Sequence, residues 1–223
     1  MGCTNGPVRI ITFINKETSN KQPIGADIAT QDEKGRTALM HAARDDDLDS
    51  VKYLAEHGAD INAADNSGAT AIIYAAQMDH LDIVKYLAEH GADINAADKG
   101  GKTALIYAAW SCRFDIVRYL VDKGADLNTI DKEGNTAIMY AVESRRGLNI
   151  VKYLVDKNAN LELKNKNGEV AATIALKHNN KDIADYLNSI MQSKDKIIKE
   201  LNQNNHNVAL KPDIETILRK NGD

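Results

Sequence analysis

The chain has 223 residues, a formal net charge of −4 and a sequence pI near 5.9. It lacks the strongly basic balance of a typical nucleic-acid-binding domain, so we expect no nucleic-acid partner. No apolar run reaches the roughly 18 residues that would span a bilayer. The two cysteines, Cys3 and Cys112, are too few and too far apart for a disulfide framework, and their sparsity favours a reducing, cytoplasmic compartment.

The N-terminus begins Met1-Gly2-Cys3, a combination that can carry a lipid. The myristoylation pattern needs Ser or Thr where Gly6 stands. Lipid attachment at Cys3 would require the removal of a signal peptide, and no basic region followed by an apolar region is visible. We therefore expect an unmodified N-terminus. An exported or lipid-anchored chain, attached to a membrane through Cys3 or Gly2, is the alternative.

A period of 33 residues runs through the chain. Successive copies begin at Asp32, Asp65, Asp98, Asp131 and Asn165; the fourth copy is one residue longer and the fifth is degenerate. A fixed period of this size indicates a solenoid, whose units bury their apolar faces on their neighbours. We expect the stack to be monomeric. Its predicted parts are an irregular N-terminal cap at residues 1–31, repeats at 32–64, 65–97, 98–130, 131–164 and 165–188, and a C-terminal helical capping extension at 189–223.

The third copy shows how each unit is built. Thr103 suits the N-cap of a first helix, in which Ala108–Ala109 are small enough to let neighbouring helices approach closely. Val117 and Leu120 lie three residues apart and give a second helix one apolar face. Gly124 should end that helix in the left-handed conformation that favours glycine. The pattern therefore predicts two short helices per repeat, followed by an extended segment.

Irregularities in the pattern predict local backbone features. The residue between the paired helices should take a positive φ, and the residues at this position are Asp46, Asp79, Cys112 and Asn179. The extra residue of the fourth repeat should bulge the loop at residues 145–147, with Gly147 in the same unusual conformation.

The two ends of the chain differ from the repeats. The apolar residues 8–14 are expected to cover the exposed N-terminal end of the stack. At the other end an apolar stripe predicts an extended second helix in the fifth repeat, and it consists of Ile183, Leu187, Ile190, Ile197 and Leu201. Residues 202–207 are interpreted as a linker, after which Pro212 should begin a short helix through Ile214, Ile217 and Leu218.

The recurring motifs Gly-x-Thr-x-Leu, Ala-Ala, Ile-Val-x-x-Leu and Gly-Ala-Asp-x-Asn resemble the ankyrin repeat over residues 32 to about 188. The resemblance implies an all-α fold, a solenoid of stacked antiparallel helix pairs with short β-hairpin fingers. It also implies protein recognition by a concave face, built from the fingers and the first helices. The family's usual first-helix histidine survives only as His41 and is replaced by Tyr74, Tyr107 and Tyr140.

Positions that vary between the copies indicate a binding surface. Trp110, the only tryptophan, occupies a slot that is polar in the other copies. It is predicted to be an interface anchor with Met78 beside it; alternatively, it folds over its own neighbours and the Cys112 turn. Lysines around it would favour an acidic rim on the partner. The candidate contact residues are Trp110, Met78, Lys99, Lys102, Lys132, Arg44, Gln77, Ser111 and Glu143.

The sequence carries no recognised catalytic or metal-binding motif such as His-Glu-x-x-His, Cys-x-x-Cys or Gly-x-Ser-x-Gly. We therefore expect no catalytic residues, no metal and no cofactor. The favoured function is a non-enzymatic protein-protein interaction module or scaffold that binds another protein through its concave surface. The alternative is a stoichiometric inhibitor or immunity-type protein that blocks a partner enzyme.

Overall fold

The computed structural model describes residues 28–209, with side chains as far as residue 202. The predicted N-terminal covering segment at residues 8–14 and the predicted short helix after Pro212 lie outside the described residues. Within them the α-helices are α1 (Ala38–Arg44), α2 (Leu48–Glu56), α3 (Ala71–Met78), α4 (Leu81–Glu89), α5 (Ala104–Trp110), α6 (Phe114–Asp122), α7 (Ala137–Ala141), α8 (Leu148–Asp156), α9 (Ala171–Lys177) and α10 (Lys181–Ala209).

The helices form five antiparallel pairs, α1/α2 through α9/α10, one pair in each predicted repeat. First helices pack against the first helices of the next repeat, and the second helices α2, α4, α6 and α8 pack against one another in the same order. The predicted all-α solenoid is therefore confirmed. None of the described helices is both long enough and apolar enough to cross a membrane.

Small residues bring the first helices together, as the sequence predicts. The alanine pairs Ala42–Ala43, Ala75–Ala76 and Ala108–Ala109 are fully buried. Alanine projects only a methyl group, so the neighbouring first helices can approach closely. The larger residues Val117 and Leu120 on α6 are also fully buried, and their equivalents on the other second helices extend the same core. Burial of this apolar surface along the stack is the main stabilising contribution, at about 25 cal/mol per Å².

The fingers are short hairpins that bond to one another across repeats. The backbone N–H of Lys99 donates to the carbonyl of Ser67 at 2.7 Å, and that of Lys132 donates to Gly100 at 2.7 Å. Equivalent bonds join the first finger to the second and the fourth to the fifth. In the described residues, isolated bridges rather than longer strands mark the hairpins, for example between Ala97 and Thr103.

The turns between paired helices take the predicted left-handed conformation. Asp46, Asp79, Cys112 and Asn179 have φ values of +59°, +73°, +56° and +57°. Asp and Asn tolerate this region, whereas Cys is not among the residue types that favour it. The repeated turn thus imposes its conformation even where the residue is unfavourable.

The prediction for Gly147 is wrong. This residue ends a 3-10 turn, Arg145–Gly147, with φ −75° and ψ −8°, a region open to any residue. A Cβ at this position would collide with the carbonyl oxygen of Ala141. Glycine is therefore needed here because the backbone approaches closely, and not because φ is positive.

The predicted linker at residues 202–207 is also wrong, since α10 continues through it to Ala209. The predicted extension of this helix is confirmed: its 29 residues span about 44 Å. Its first turns pack on the repeats through Ile183 and Leu187, which are buried. From residue 192 to residue 202 every side chain is exposed, including Ile197 and Leu201.

Candidate protein-binding surface

An aspartate at the start of each of the first four fingers links the finger to its first helix. In the fourth repeat, one oxygen of Asp131 accepts N–H bonds from Glu133 and Asn135, both at 2.9 Å. The other oxygen accepts the hydroxyl bond of Tyr140 at 2.5 Å. The same side-chain bond, at 2.7 Å, joins the equivalent pairs Tyr74–Asp65 and Tyr107–Asp98.

The first repeat has a histidine in place of the tyrosine. Nε2 of His41 lies 3.1 Å from Asp32, nine residues earlier, as each tyrosine lies nine residues after its aspartate. Both residue types therefore place a polar ring atom against the same carboxylate. The replacement of His by Tyr in the following three repeats preserves this link between finger and helix.

These links have a defined ionisation state. Burial raises the pKa of Asp131, but hydrogen bonds from Tyr140, the Asn135 backbone and Lys102 outweigh burial and hold the pKa below its ordinary value. Burial and the bond to Asp65 raise the pKa of Tyr74 to about 12. The Tyr74–Asp65 and Tyr140–Asp131 links therefore pair a charged carboxylate with a neutral phenol at physiological pH, which is the stronger, charge-assisted type of hydrogen bond.

Trp110 is the last residue of α5 and is 49% exposed. Its ring centroid lies 5.4 Å from that of Tyr140 and 6.4 Å from that of Tyr107, at tilted angles of 38° and 32°. Such distances are typical of favourable aromatic pairs. Because each tyrosine is bonded to a finger aspartate, the indole rests on two fixed rings while about half of its surface stays open.

Met78 ends α3 in the preceding repeat and is 44% exposed. It was expected to lie beside Trp110. The ring contacts of Trp110 lie within its own repeat and toward Tyr140 of the following repeat. Trp110 and Met78 therefore present apolar surface at the ends of successive first helices.

The three candidate lysines differ in their surroundings. Lys102 is largely covered: its Nζ lies 3.3 Å from Asp131 and 5.6 Å from the centroid of the Tyr140 ring. Burial lowers the pKa of Lys102, but the hydrogen bond to Asp131 outweighs it and leaves the pKa raised. Lys99 and Lys132 are exposed on the fingers, and no ion pair within the described residues involves either one. Lys102 thus joins the third repeat to the fourth, whereas the ammonium groups of Lys99 and Lys132 are exposed and unpaired within the described residues.

The remaining candidates lie at the ends of the first helices. Arg44 bonds Asp45 at 2.8 Å, and Gln77 and Ser111 are half-buried. Glu143 is half-buried as well, and burial raises its pKa. Sequence reasoning did not place Tyr107 and Tyr140 in the site, although the constant nine-residue interval from Asp to Tyr was visible in the sequence.

The described residues contain no group of three or more His, Cys, Asp and Glu side chains arranged to hold a metal ion. A cleft of about 300 Å³ lies between the 3-10 turn and the start of α10, lined by Arg145, Leu148 and residues 179–183. This cleft is separate from Trp110. Cys3 and Gly2, the candidate lipid attachment points, lie outside the described residues.

Two family models match the chain. Ankyrin repeats (3 copies) matches residues 13–98, and Ankyrin repeats (many copies) matches residues 113–175. The first match begins within the segment assigned as an irregular cap. A search of curated proteins gives no match.

Proposed function

We propose that this chain, which belongs to the ankyrin-repeat family, is a non-enzymatic module that holds a partner protein on its concave surface, with Trp110 as the anchor. Ankyrin repeats are in general protein-protein interaction modules. The observation that carries the proposal is the exposed half of Trp110, supported from beneath by Tyr107 and Tyr140. Tryptophan is enriched among the residues that dominate interface energies.

The support beneath Trp110 lowers the entropic cost of binding. Tyr107 and Tyr140 are each bonded to a finger aspartate, so the indole has few conformations to lose when a partner covers it. The fingers are bonded to one another, which keeps the whole surface in place. A surface that is already ordered converts more of its contact energy into affinity.

Affinity capture with the full chain tests the proposal. Wild type and Trp110→Ala are immobilised in parallel, and the bound proteins are quantified by mass spectrometry. Ile197→Ala is the matched control, because Ile197 is also about half exposed but lies on the projecting part of α10. The proposal requires a protein that wild type and Ile197→Ala retain and Trp110→Ala loses. Equal recovery by all three chains would refute the anchor.

A stoichiometric inhibitor or immunity-type protein would use the same surface to cover an enzyme's active site. Assay of the captured partner separates this alternative from a scaffold. A scaffold leaves the partner's catalytic rate unchanged when the two proteins are mixed in equal amounts, whereas an inhibitor abolishes it at that ratio. Recovery of activity with Trp110→Ala would place the inhibition on this surface.

A further inference from the structure

Three lysines occupy one position on three successive fingers. Lys99, Lys132 and Lys166 each follow the first residue of their repeat, and all three side chains are exposed. The same position holds Glu33 in the first repeat and Asn66 in the second. The row, called here the lysine row, therefore begins in the repeat that carries Trp110 and continues toward the C-terminus.

The spacing of the lysine row is fixed by the backbone. The N–H of each lysine donates to the preceding finger: Lys99 to Ser67 at 2.7 Å, Lys132 to Gly100 at 2.7 Å, and Lys166 to Glu133 at 2.9 Å. Successive lysines therefore lie one repeat apart, and the packing of neighbouring helices sets that interval at about 8–10 Å. Because these bonds recur, the three lysine side chains leave the backbone at a regular interval.

The charge of the lysine row is free. No ion pair within the described residues involves any of its three members. The acidic groups at the base of these fingers are engaged elsewhere, since Asp98 binds Tyr107 and Asp131 binds Tyr140 and Lys102. Glu133, which directly follows Lys132, is an exposed acidic residue on the fourth finger. Lys102 does not belong to the row, because its ammonium group is already paired.

We propose that the lysine row and Trp110 together receive an acidic, extended segment of the partner protein, in which a carboxylate recurs at every third residue. This inference rests on the proposed function. A polyproline II helix has three residues per turn and rises about 3.1 Å per residue, so every third side chain returns to one face after about 9 Å. That interval matches the spacing of the row. An apolar side chain on another face of the segment then meets the open half of Trp110.

Other ligands fit the row less well. In a β-strand, side chains on one face recur about every 6.6 Å, so by the third lysine they fall short of the row by about 3–7 Å. Single-stranded nucleic acid would be drawn by the lysines and could stack on Trp110. Ankyrin repeats are in general protein-protein interaction modules, which favours a protein segment, and a single-stranded oligonucleotide therefore serves as the competing ligand in the test.

Synthetic peptides test the inference with the full chain. The probe is a proline-rich peptide with glutamate at every third position and a single leucine. The first control has the same composition with its glutamates clustered at one end, and the second replaces glutamate by glutamine. Because Trp110 is the only tryptophan, its intrinsic fluorescence reports binding directly. Affinities are measured for wild type, Lys132→Glu and Lys52→Glu, the last being an exposed lysine on α2 that matches the change in net charge.

The spaced peptide is expected to bind wild type several-fold more tightly than either control peptide. Lys132→Glu should weaken it by about three- to tenfold, as expected for exposed charge pairs, while Lys52→Glu changes it by less than about twofold. Equal binding of spaced and clustered peptides, or equal effects of the two lysine substitutions, would overturn the inference. Tighter binding of a single-stranded oligonucleotide than of the spaced peptide would overturn it as well.

The inference and the proposed function fail in different ways. If Trp110→Ala abolishes partner capture but the peptides show no dependence on Lys132, the inference alone falls. If Trp110→Ala leaves capture unchanged, both the proposed function and the inference that rests on it are refuted. Far-UV circular dichroism of each variant shows that the stack is intact, which is expected because these side chains are exposed.

Discussion

The indole ring of Trp110 packs against the ring of Tyr140 at 5.4 Å, although the two residues belong to successive repeats. Tyr140 in turn is bonded to Asp131, which is paired with Lys102 of the repeat that holds Trp110. The anchor of the proposed interface is therefore shared between two units and exists only in the assembled stack. Changes that loosen the contact between the third and fourth repeats should weaken both stability and binding.

The contribution of a tyrosine–aspartate link to the free energy of unfolding can be measured by removing the tyrosine hydroxyl. Tyr74→Phe leaves the buried Asp65 without one of its donors and should lower the free energy of unfolding by about 1–3 kcal/mol. Tyr86→Phe is the matched control, because the buried hydroxyl of Tyr86 makes no hydrogen bond within the described residues. Removing it should be neutral or slightly stabilising. Urea denaturation measures both, and equal losses for the two variants would contradict the assigned role of the link.

Acid should weaken the stack through the same aspartates. Burial raises the pKa of Asp65, but hydrogen bonds from Ser67, Tyr74 and the Ala69 backbone outweigh it and leave the pKa below its ordinary value. A lowered folded pKa means that this carboxylate stabilises the fold above its unfolded pKa of about 3.9. That stability is lost as pH falls through the folded pKa.

Asp65→Asn isolates this contribution, because an amide oxygen can still accept the loop N–H bonds, as Asn165 does in the fifth repeat at 3.0 Å. The variant should be less stable than wild type near neutral pH, and the difference should shrink once the pH falls below the unfolded pKa of about 3.9. Urea midpoints at the two pH values make the comparison. A difference that is the same at both would show that the charge of Asp65 does not contribute.

Cys112 offers a route to a more stable chain. Its φ of +56° is costly for a residue with a Cβ, and glycine removes that cost. Cys112→Gly should raise the free energy of unfolding by about 0.5–1 kcal/mol relative to Cys112→Ala, which also lacks the thiol but keeps the Cβ. Thermal or urea unfolding decides the order. An alanine variant more stable than the glycine variant would mean that the turn carries no backbone strain.

Gly147 and Gly91 should respond differently to the same substitution. A Cβ at Gly147 would collide with the carbonyl oxygen of Ala141, whereas a Cβ at Gly91 meets nothing within 4 Å but has φ +93°. Gly91→Ala should therefore cost about 1 kcal/mol from backbone strain alone. Gly147→Ala should cost more, about 2 kcal/mol or above, because neighbouring backbone has to move. A smaller loss at Gly147 would show that the inserted turn yields easily.

The repeat pattern predicted the fold well because each unit reuses the same local chemistry. The helix pairs, the buried alanines and the positive φ at Asp79 and Cys112 follow from residues that recur at fixed intervals. The inserted turn occurs once, so the pattern held no information on the contact of Gly147 with Ala141. Residues 202–207 were interpreted as a linker from their polar composition, but polar residues also form solvent-exposed helix.

The surroundings of Trp110 follow from the sequence only in part. The sequence identified Trp110 as unusual, and the structure leaves half of it exposed. It did not reveal that Tyr140 supports Trp110 or that Lys102 is tied to Asp131, since both contacts cross from one repeat to the next. Such contacts depend on how neighbouring repeats pack. The residue pattern within one repeat does not give the distance between side chains of two repeats.

The most direct test of the central claim is calorimetric titration of the purified partner into wild type and Trp110→Ala. The anchor requires the dissociation constant to rise by about 30-fold or more, which corresponds to a loss of about 2 kcal/mol, while the free Trp110→Ala chain stays folded under the titration conditions. A dissociation constant within about twofold of wild type would show that the partner binds elsewhere on the chain.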